Sequence, residues 1–126
     1  MKRKKMITVV ALVMVLVFAM SVNSMALLNW NSTSRCEPGL YVGGNTAYCS
    51  LAVEANDSSD SITAYVYLER VYSDGTSDMV TSWTGLTGTG TLYFSENYPV
   101  SSGNYQMRIT VIVNGSGGMD VISDVV

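Results

Sequence analysis

The chain has 126 residues, of which 48% are hydrophobic and 13% are charged, and its formal net charge is −3 at pH 7. It contains two cysteines and no histidine. Without imidazole the chain lacks the base of the usual Ser–His and Cys–His catalytic pairs. Two thiols also fall short of the four thiolate or imidazole ligands of a structural zinc site. We therefore predict no metal site and no cofactor.

The first 26 residues have the pattern of a secretory signal peptide. A basic head, Lys2 to Lys5, precedes an uncharged apolar run from Met6 to Met20, which is shorter than the roughly 20 residues that a membrane-spanning helix needs. The small side chains of Ser24 and Ala26 predict cleavage after Ala26, with cleavage after Ser24 as the alternative. An uncleaved membrane anchor is the less favoured interpretation. We expect a secreted protein that has no membrane contact after cleavage.

The expected mature chain consists of an N-terminal extension, residues 27–35, and one domain, residues 36–126. A chain of this length supports a single hydrophobic core, and we expect a monomer. It keeps three arginines, Arg35, Arg70 and Arg108, against all ten acidic residues, which gives a net charge of −7. Such a charge repels phosphate backbones, so we predict no nucleic-acid partner.

The mature sequence predicts an all-β domain. Alternation of apolar and polar residues is clearest in Ser61 to Tyr72 and in Tyr105 to Val113, and the pairs Asp74-Gly75 and Asn114-Gly115 predict hairpin turns. The other predicted strands are Leu40 to Val42, Ala47 to Ala55, Met79 to Trp83, Thr91 to Ser95 and Met119 to Val125. About seven strands joined by short connections predict an immunoglobulin-like antiparallel β-sandwich.

Ser101 to Tyr105 resembles the tyrosine corner of immunoglobulin-like domains, in which a Tyr hydroxyl bonds back to nearby backbone. Two features depart from antibody domains. Met107 stands where those domains have their second Cys, and the strand Ile62 to Leu68 has no Trp. The pattern therefore indicates the sandwich class without an inter-sheet disulfide.

Three segments carry a family resemblance: AYCSLAVEA, ITAYVYLERVYSDGTSDMVTSW and YPVSSGNYQMRITVIV. Together with the basic signal peptide and a Cys ahead of a Gly-Gly turn, they resemble the small secreted single-domain β-sandwich proteins of Gram-positive bacteria. The resemblance covers residues 36 to about 113. It implies a secreted immunoglobulin-like fold, and because that family has no assigned activity it implies no site.

The two cysteines, Cys36 and Cys49, are predicted to form a structural disulfide. Twelve residues separate them, which does not fit a Cys-x-x-Cys redox motif. A turn at Gly43-Gly44-Asn45 is expected to bring them together across a hairpin. In a secreted protein such a bond stabilises the fold by roughly 3 kcal/mol in the chain-entropy model. Two free thiols are the alternative.

The acidic residues predict neither a calcium loop nor a catalytic pair. Asn56 to Asp60 is rich in oxygen ligands but lacks the glycine and terminal glutamate of a defined calcium loop, so it is interpreted as a polar turn. The ten carboxylates fall in predicted turns or at outward strand positions, which is typical of a solvated surface. A domain of this size also has little room for a cleft, and we predict that the protein is not an enzyme.

The candidate binding face consists of Tyr65 and Tyr67, on the outward side of the central strand, and Tyr93. Exposed tyrosines suit binding surfaces because they are large, amphipathic and easily ordered, although Tyr is also common in strands with one solvated face. The predicted function is extracellular binding or adhesion, with an unknown protein or glycan as partner. The alternative is a small secreted enzyme or enzyme inhibitor, the latter presenting Gly85 to Gly90 as a protruding loop.

Overall fold

The fold is described from a computed structural model, which describes residues 30–126. The predicted signal peptide, residues 1–26, lies outside this range. The described residues form seven β-strands and no helix: β1 (Thr33–Gly43), β2 (Thr46–Ala55), β3 (Ser61–Val71), β4 (Ser77–Thr89), β5 (Thr91–Pro99), β6 (Asn104–Gly115) and β7 (Gly118–Val125). The first strand begins inside the predicted extension 27–35. Nothing in residues 30–126 is an apolar helix of the length that a bilayer crossing requires.

The strands form two antiparallel sheets. Hydrogen-bonded neighbours follow the order β1-β2-β5-β4-β3-β6-β7. Between β4 and β5, however, the only paired residues are Thr89 and Thr91, on either side of Gly90. The chain therefore turns a corner at Gly90 and divides the order into a three-stranded sheet, β1-β2-β5, and a four-stranded sheet, β4-β3-β6-β7.

The hydrophobic core lies between the two sheets and follows from the period-two alternation of their strands. Its members are less than 10% exposed: Ala47, Cys49, Leu51 and Val53 of β2; Ile62, Ala64, Val66 and Leu68 of β3; Phe94 of β5; Val100; Met107, Ile109, Val111 and Val113 of β6; and Ile122 of β7. Burying large aliphatic side chains stabilises the fold by roughly 1.5–3 kcal/mol each before conformational entropy is subtracted. The all-β prediction is confirmed.

Aromatic residues close the core where β4 and β5 separate. Trp83 of β4 pairs with the buried Val66, so it points inward. Its ring lies 5.2 Å from that of Phe94 and 6.4 Å from that of Tyr98, both on the opposite sheet. Tilted and edge-on ring pairs at these distances are favourable. Where β4 and β5 are not paired through their backbones, the Trp83 side chain connects the two sheets.

A buried carboxylate fixes the start of β1 against β7. Asp120 is 5% exposed and accepts hydrogen bonds from the backbone N–H of Asn31 and of Ser32, both at 2.8 Å, and from the hydroxyl of Thr33 at 2.7 Å. Burial by itself would raise the pKa of Asp120, but these donors outweigh it, and the pKa lies below its ordinary value. The Ser32 hydroxyl adds a 2.7 Å bond to the carbonyl of Gly118.

The protruding loop that the inhibitor alternative requires at Gly85 to Gly90 is absent, because Leu86 and Gly88 pair with Ala64 and Ile62 as part of β4. One turn prediction is wrong. The last hairpin turns at residues 116–117 rather than at Asn114-Gly115, since Gly115 pairs with Gly118. Gly115 is instead required by packing, because a Cβ there would collide with the carboxylate of Asp60.

The predicted disulfide is contradicted. Cys36 pairs with Val53 and Cys49 pairs with Leu40 across the β1–β2 hairpin, so the two cysteines are offset by four residues. Four residues of strand span about 13 Å, whereas the Cα atoms of a disulfide lie roughly 4.4–6.8 Å apart. Both cysteines are free thiols.

The two thiols also have low reactivity. Burial, together with the charges of Asp124 and Glu37, raises the pKa of Cys36 to about 12. Burial likewise raises the pKa of Cys49, which lies in the core. Since the thiolate is the reactive form, neither residue is activated as a nucleophile.

The hydrogen bond expected of the segment at residues 101–105 is present. The hydroxyl of Tyr105, near the start of β6, donates a 2.6 Å hydrogen bond to the carbonyl of Ser101. The bond ties the β5–β6 connection to the strand that follows it. It places the aromatic ring at the corner where the chain passes from one sheet to the other.

Candidate functional site

The three tyrosines predicted as one binding face lie on different sheets. Tyr65 and Tyr67 of β3 are half-buried on the outer side of the four-stranded sheet, while Tyr93 of β5 is 62% exposed on the outer side of the three-stranded sheet. The core separates the two outer surfaces. The three residues therefore do not form a single face, and only Tyr93 belongs to the more aromatic surface described below.

An exposed pair of tyrosines lies at the end of the three-stranded sheet next to the β1–β2 turn. Tyr41 of β1 and Tyr48 of β2 are register partners, are 67% and 44% exposed, and have ring centroids 5.8 Å apart with planes inclined by 32°. Gly43 makes room for this arrangement, because a Cβ there would lie 2.7 Å from the Tyr41 ring. The Tyr41 ring is therefore supported by the backbone of its own strand and by Tyr48.

Beside this pair the sheet surface dips into a groove. Gly39, Ser50 and Ser95 form one row across the three strands, directly next to the row of Tyr41, Tyr48 and Asn97. The groove has a volume of about 370 Å³ and includes these six residues in its lining. We call it the tyrosine groove. Its size is at the low end of ligand pockets, roughly 300–1,000 Å³.

The tyrosine groove offers polar groups that make few hydrogen bonds to other groups of the described residues. Within residues 30–126, the hydroxyls of Tyr41, Tyr48 and Ser95 and the amide of Asn97 make no hydrogen bond to another protein group, and the Ser50 hydroxyl makes one long contact, 3.4 Å, to a backbone carbonyl. An aromatic wall beside free hydroxyl and amide groups is the usual composition of a small-molecule site.

A charged cluster lies on the same outer surface, beyond the row of small residues. The Tyr93 hydroxyl donates to Glu54 at 2.7 Å, and Arg35 bonds to Glu54 at 3.0 Å and to Glu37 at 2.9 Å. The Tyr93 hydroxyl, and next Arg35, lower the pKa of Glu54, while the carboxylate raises the pKa of Tyr93. Glu54 is therefore ionised and Tyr93 protonated at neutral pH. The cluster anchors the hydroxyl end of Tyr93.

The outer surface of the four-stranded sheet is different in character. Beside Tyr67, Glu69 accepts hydrogen bonds from Arg108 at 3.0 Å and from Gln106 at 2.6 Å, and Arg108 lowers the pKa of Glu69. Nearer β7 the surface is aliphatic, with Met119 and Val121 more than half exposed.

The polar turn at Asn56 to Asp60 is held by hydrogen bonds between residues close in sequence. Asp57 accepts hydrogen bonds from the N–H and hydroxyl of Ser59, and Asp60 is buried, contrary to its predicted solvated position. Across residues 30–126 no three Asp, Glu or Cys side chains gather in the way that a metal ion requires.

The pairing of Tyr41 with Tyr48 could have been predicted from the length of the β1–β2 turn, although the alternation of apolar and polar residues does not reveal it. The turn consists of two residues, Gly44 and Asn45, and a two-residue turn fixes the register of the whole hairpin. Counting outward from it places Tyr41 opposite Tyr48. The prediction instead assigned three residues, 43–45, to the turn and left the two tyrosines unpaired.

Comparison with known proteins finds no matching family model, no similar curated protein and no similar solved structure.

Proposed function

We propose that the protein is a secreted, non-enzymatic module of the immunoglobulin-like class that binds a saccharide in the tyrosine groove. Secretion is supported by the signal-peptide pattern of residues 1–26. The absence of histidine from the whole chain, and the engagement of Glu54 and Glu69 in ion pairs, favour binding over catalysis.

Strand order and the Tyr105 corner support the immunoglobulin-like assignment. In that class the second and fifth strands pair in one sheet, and the third, sixth and seventh pair in the other. The order β1-β2-β5 and β4-β3-β6-β7 has both features. The Tyr105–Ser101 bond lies at the start of the penultimate strand, as the tyrosine corner does. Neither feature depends on a disulfide.

The observation that carries the binding proposal is the Tyr41–Tyr48 pair beside the tyrosine groove. Both rings expose apolar surface to water although neither contributes to the core. Sugar rings have one flatter C–H face that stacks on aromatic rings and a rim of hydroxyls that need donors and acceptors. The rings of Tyr41 and Tyr48 supply the aromatic surface for stacking. The side chains of Ser50, Ser95 and Asn97 supply the hydrogen-bond donors and acceptors.

Composition favours a saccharide over a protein partner at this surface. The row of Gly39, Ser50 and Ser95 carries no aliphatic side chain, whereas the centres of protein interfaces are apolar and well packed. Exposed aliphatic residues, including Met119 and Val121, are on the other sheet. The inhibitor alternative loses its main feature, since residues 85–89 are paired strand and not a protruding loop.

A binding screen with matched tyrosine variants tests this proposal. The mature domain is screened against a glycan array, chitin, cellulose and purified bacterial cell walls, together with the double variants Tyr41→Ala/Tyr48→Ala and Tyr65→Ala/Tyr67→Ala. We expect the first variant to lose at least about tenfold in affinity, equal to 1.4 kcal/mol. The second removes two tyrosines from the opposite outer surface and is expected to bind like the wild type. Equal losses in both variants, or no binding by the wild type, would refute the proposal.

A further inference from the structure

Tyr93 is a third exposed aromatic residue on the outer surface that carries the tyrosine groove, and it lies apart from the Tyr41–Tyr48 pair. It pairs with Ala52, which is four residues along β2 from Tyr48. Four residues of strand span about 13 Å. The two aromatic positions are therefore separated by more than the length of one sugar ring.

The surface between the two positions is low and open. The row midway between them consists of Gly39, Ser50 and Ser95, and a Cβ at Gly39 would displace the Ser50 hydroxyl, whose oxygen would lie 2.7 Å from it. Ala52 beside Tyr93 is also small. A ligand that stacks on Tyr48 meets no large side chain along β2 before it reaches Tyr93.

Tyr93 is held in place before any ligand binds. Its hydroxyl donates to Glu54, which is also bonded to Arg35. The bond anchors the hydroxyl end of the side chain, and a side chain that is already ordered loses less entropy on binding. The hydroxyl is engaged by the carboxylate, so the ring face is the part of Tyr93 that remains for contact.

From these observations we infer that the surface binds an oligosaccharide along β2, with one subsite at the Tyr41–Tyr48 pair and a second at Tyr93. This inference rests on the proposed saccharide-binding function. Linked sugars carry a repeating flat face, so a single chain can stack on both aromatic positions at once. Two linked contacts bind more tightly than either alone, because the second forms at a high effective concentration.

The charges at the second subsite favour a neutral chain. Arg35 is shared by Glu37 and Glu54, so two carboxylates face one guanidinium beside Tyr93. The expected mature domain is also acidic overall. Both features disfavour sugars that carry carboxylate, sulfate or phosphate groups.

Affinity as a function of chain length tests the second subsite. Chitobiose and chitohexaose, and cellobiose and cellohexaose as a second neutral pair, are titrated into the mature domain by calorimetry. The wild type is expected to bind the hexamer of at least one pair about tenfold or more tightly than its dimer. Tyr93→Ala should remove that advantage and leave dimer affinity unchanged, whereas Tyr48→Ala should weaken both. Tyr67→Ala, on the other sheet, is the control, and thermal unfolding verifies that each variant is folded.

The outcomes separate the two proposals. If dimer and hexamer bind equally, or if Tyr93→Ala weakens both by the same factor, the second subsite is refuted and saccharide binding at Tyr41–Tyr48 stands. If neither sugar series binds the wild type, or if Tyr48→Ala has no effect on the binding of either sugar series, the saccharide site itself is refuted and the second subsite with it.

Discussion

Replacing Asp120 by Ala is expected to lower the free energy of unfolding by about 2–4 kcal/mol, because hydrogen bonds to a charged group contribute roughly 1.5–3 kcal/mol each and buried donors are left unpaired. Asp120 receives three such bonds from residues 31–33. The loss should be largest for the pairing of the start of β1. Hydrogen exchange of the amides of Asn31 and Ser32 should accelerate more than that of the β3 and β6 amides.

The same carboxylate should make stability depend on pH. The folded-state pKa of Asp120 lies below the ordinary value of an aspartate, because three donors bond to the carboxylate. A lowered pKa means that the stabilisation is complete above the unfolded-state pKa and is lost as the pH falls through the folded-state pKa. Urea unfolding between pH 7 and pH 2 should therefore show a smaller acid-dependent loss in Asp120→Ala than in the wild type.

Asp124→Ala is the matched control for Asp120→Ala. Asp124 is on the same strand but half-exposed, and its one side-chain hydrogen bond among the described residues is to the N–H of its neighbour Val125. We expect it to change the free energy of unfolding by less than about 0.5 kcal/mol. A comparable loss in both variants would show that the carboxylate of Asp120 does not hold the start of β1.

Replacing Cys49 by Ser is expected to destabilise the domain by about 1–3 kcal/mol, the cost of placing a hydroxyl in an apolar interior without a partner. Cys49 is 1% exposed and lies among core residues of β2. Cys36→Ser should cost less than about 1 kcal/mol, because Cys36 is only half-buried. Unfolding in urea measures both.

The asymmetry between the two cysteine variants distinguishes free thiols from a disulfide. Loss of a disulfide would affect both variants alike, and would make the wild type sensitive to reductant. With free thiols, the purified mature domain should take up two alkyl groups when it is denatured without reductant. Equal destabilisation by the two variants, together with no alkylation, would contradict the register of the β1–β2 hairpin described above.

The interiors of the strands were predictable because alternation depends on local sequence. The inward positions of β3 and β6, from Ile62 to Leu68 and from Met107 to Val113, match the buried residues of the structure. Strand ends were less predictable. Residues 85–89 are rich in Gly and Thr and have the composition of a loop, but β3 offers them a partner, and tertiary pairing outweighs intrinsic propensity.

The candidate site was less predictable because it depends on which strands become neighbours. Tyr65, Tyr67 and Tyr93 were each correctly expected to face outward, but alternation does not reveal that β3 and β5 belong to different sheets. The disulfide prediction failed for a related reason. A turn at residues 43–45 was expected to bring the two cysteines together across the hairpin, while the two-residue turn fixes a register in which Cys36 faces Val53.

The burial of Asp120 had no local signal at all. It follows a glycine-rich turn and so has the sequence context of a solvated residue. Its donors come from residues 31–33, at the opposite end of the domain sequence. Only the completed arrangement of β1 against β7 brings the carboxylate and these donors together.

The most direct test of the saccharide site is a map of the amide chemical shifts that change when chitohexaose or cellohexaose is added to the ¹⁵N-labelled mature domain. We predict that the changes concentrate at Tyr41, Tyr48, Ser50 and Ser95 and extend along β2 to the neighbourhood of Tyr93. The outer surface of the four-stranded sheet, around Tyr65 and Tyr67, should be unaffected. Changes confined to that surface, or no changes with either sugar, would contradict the saccharide site.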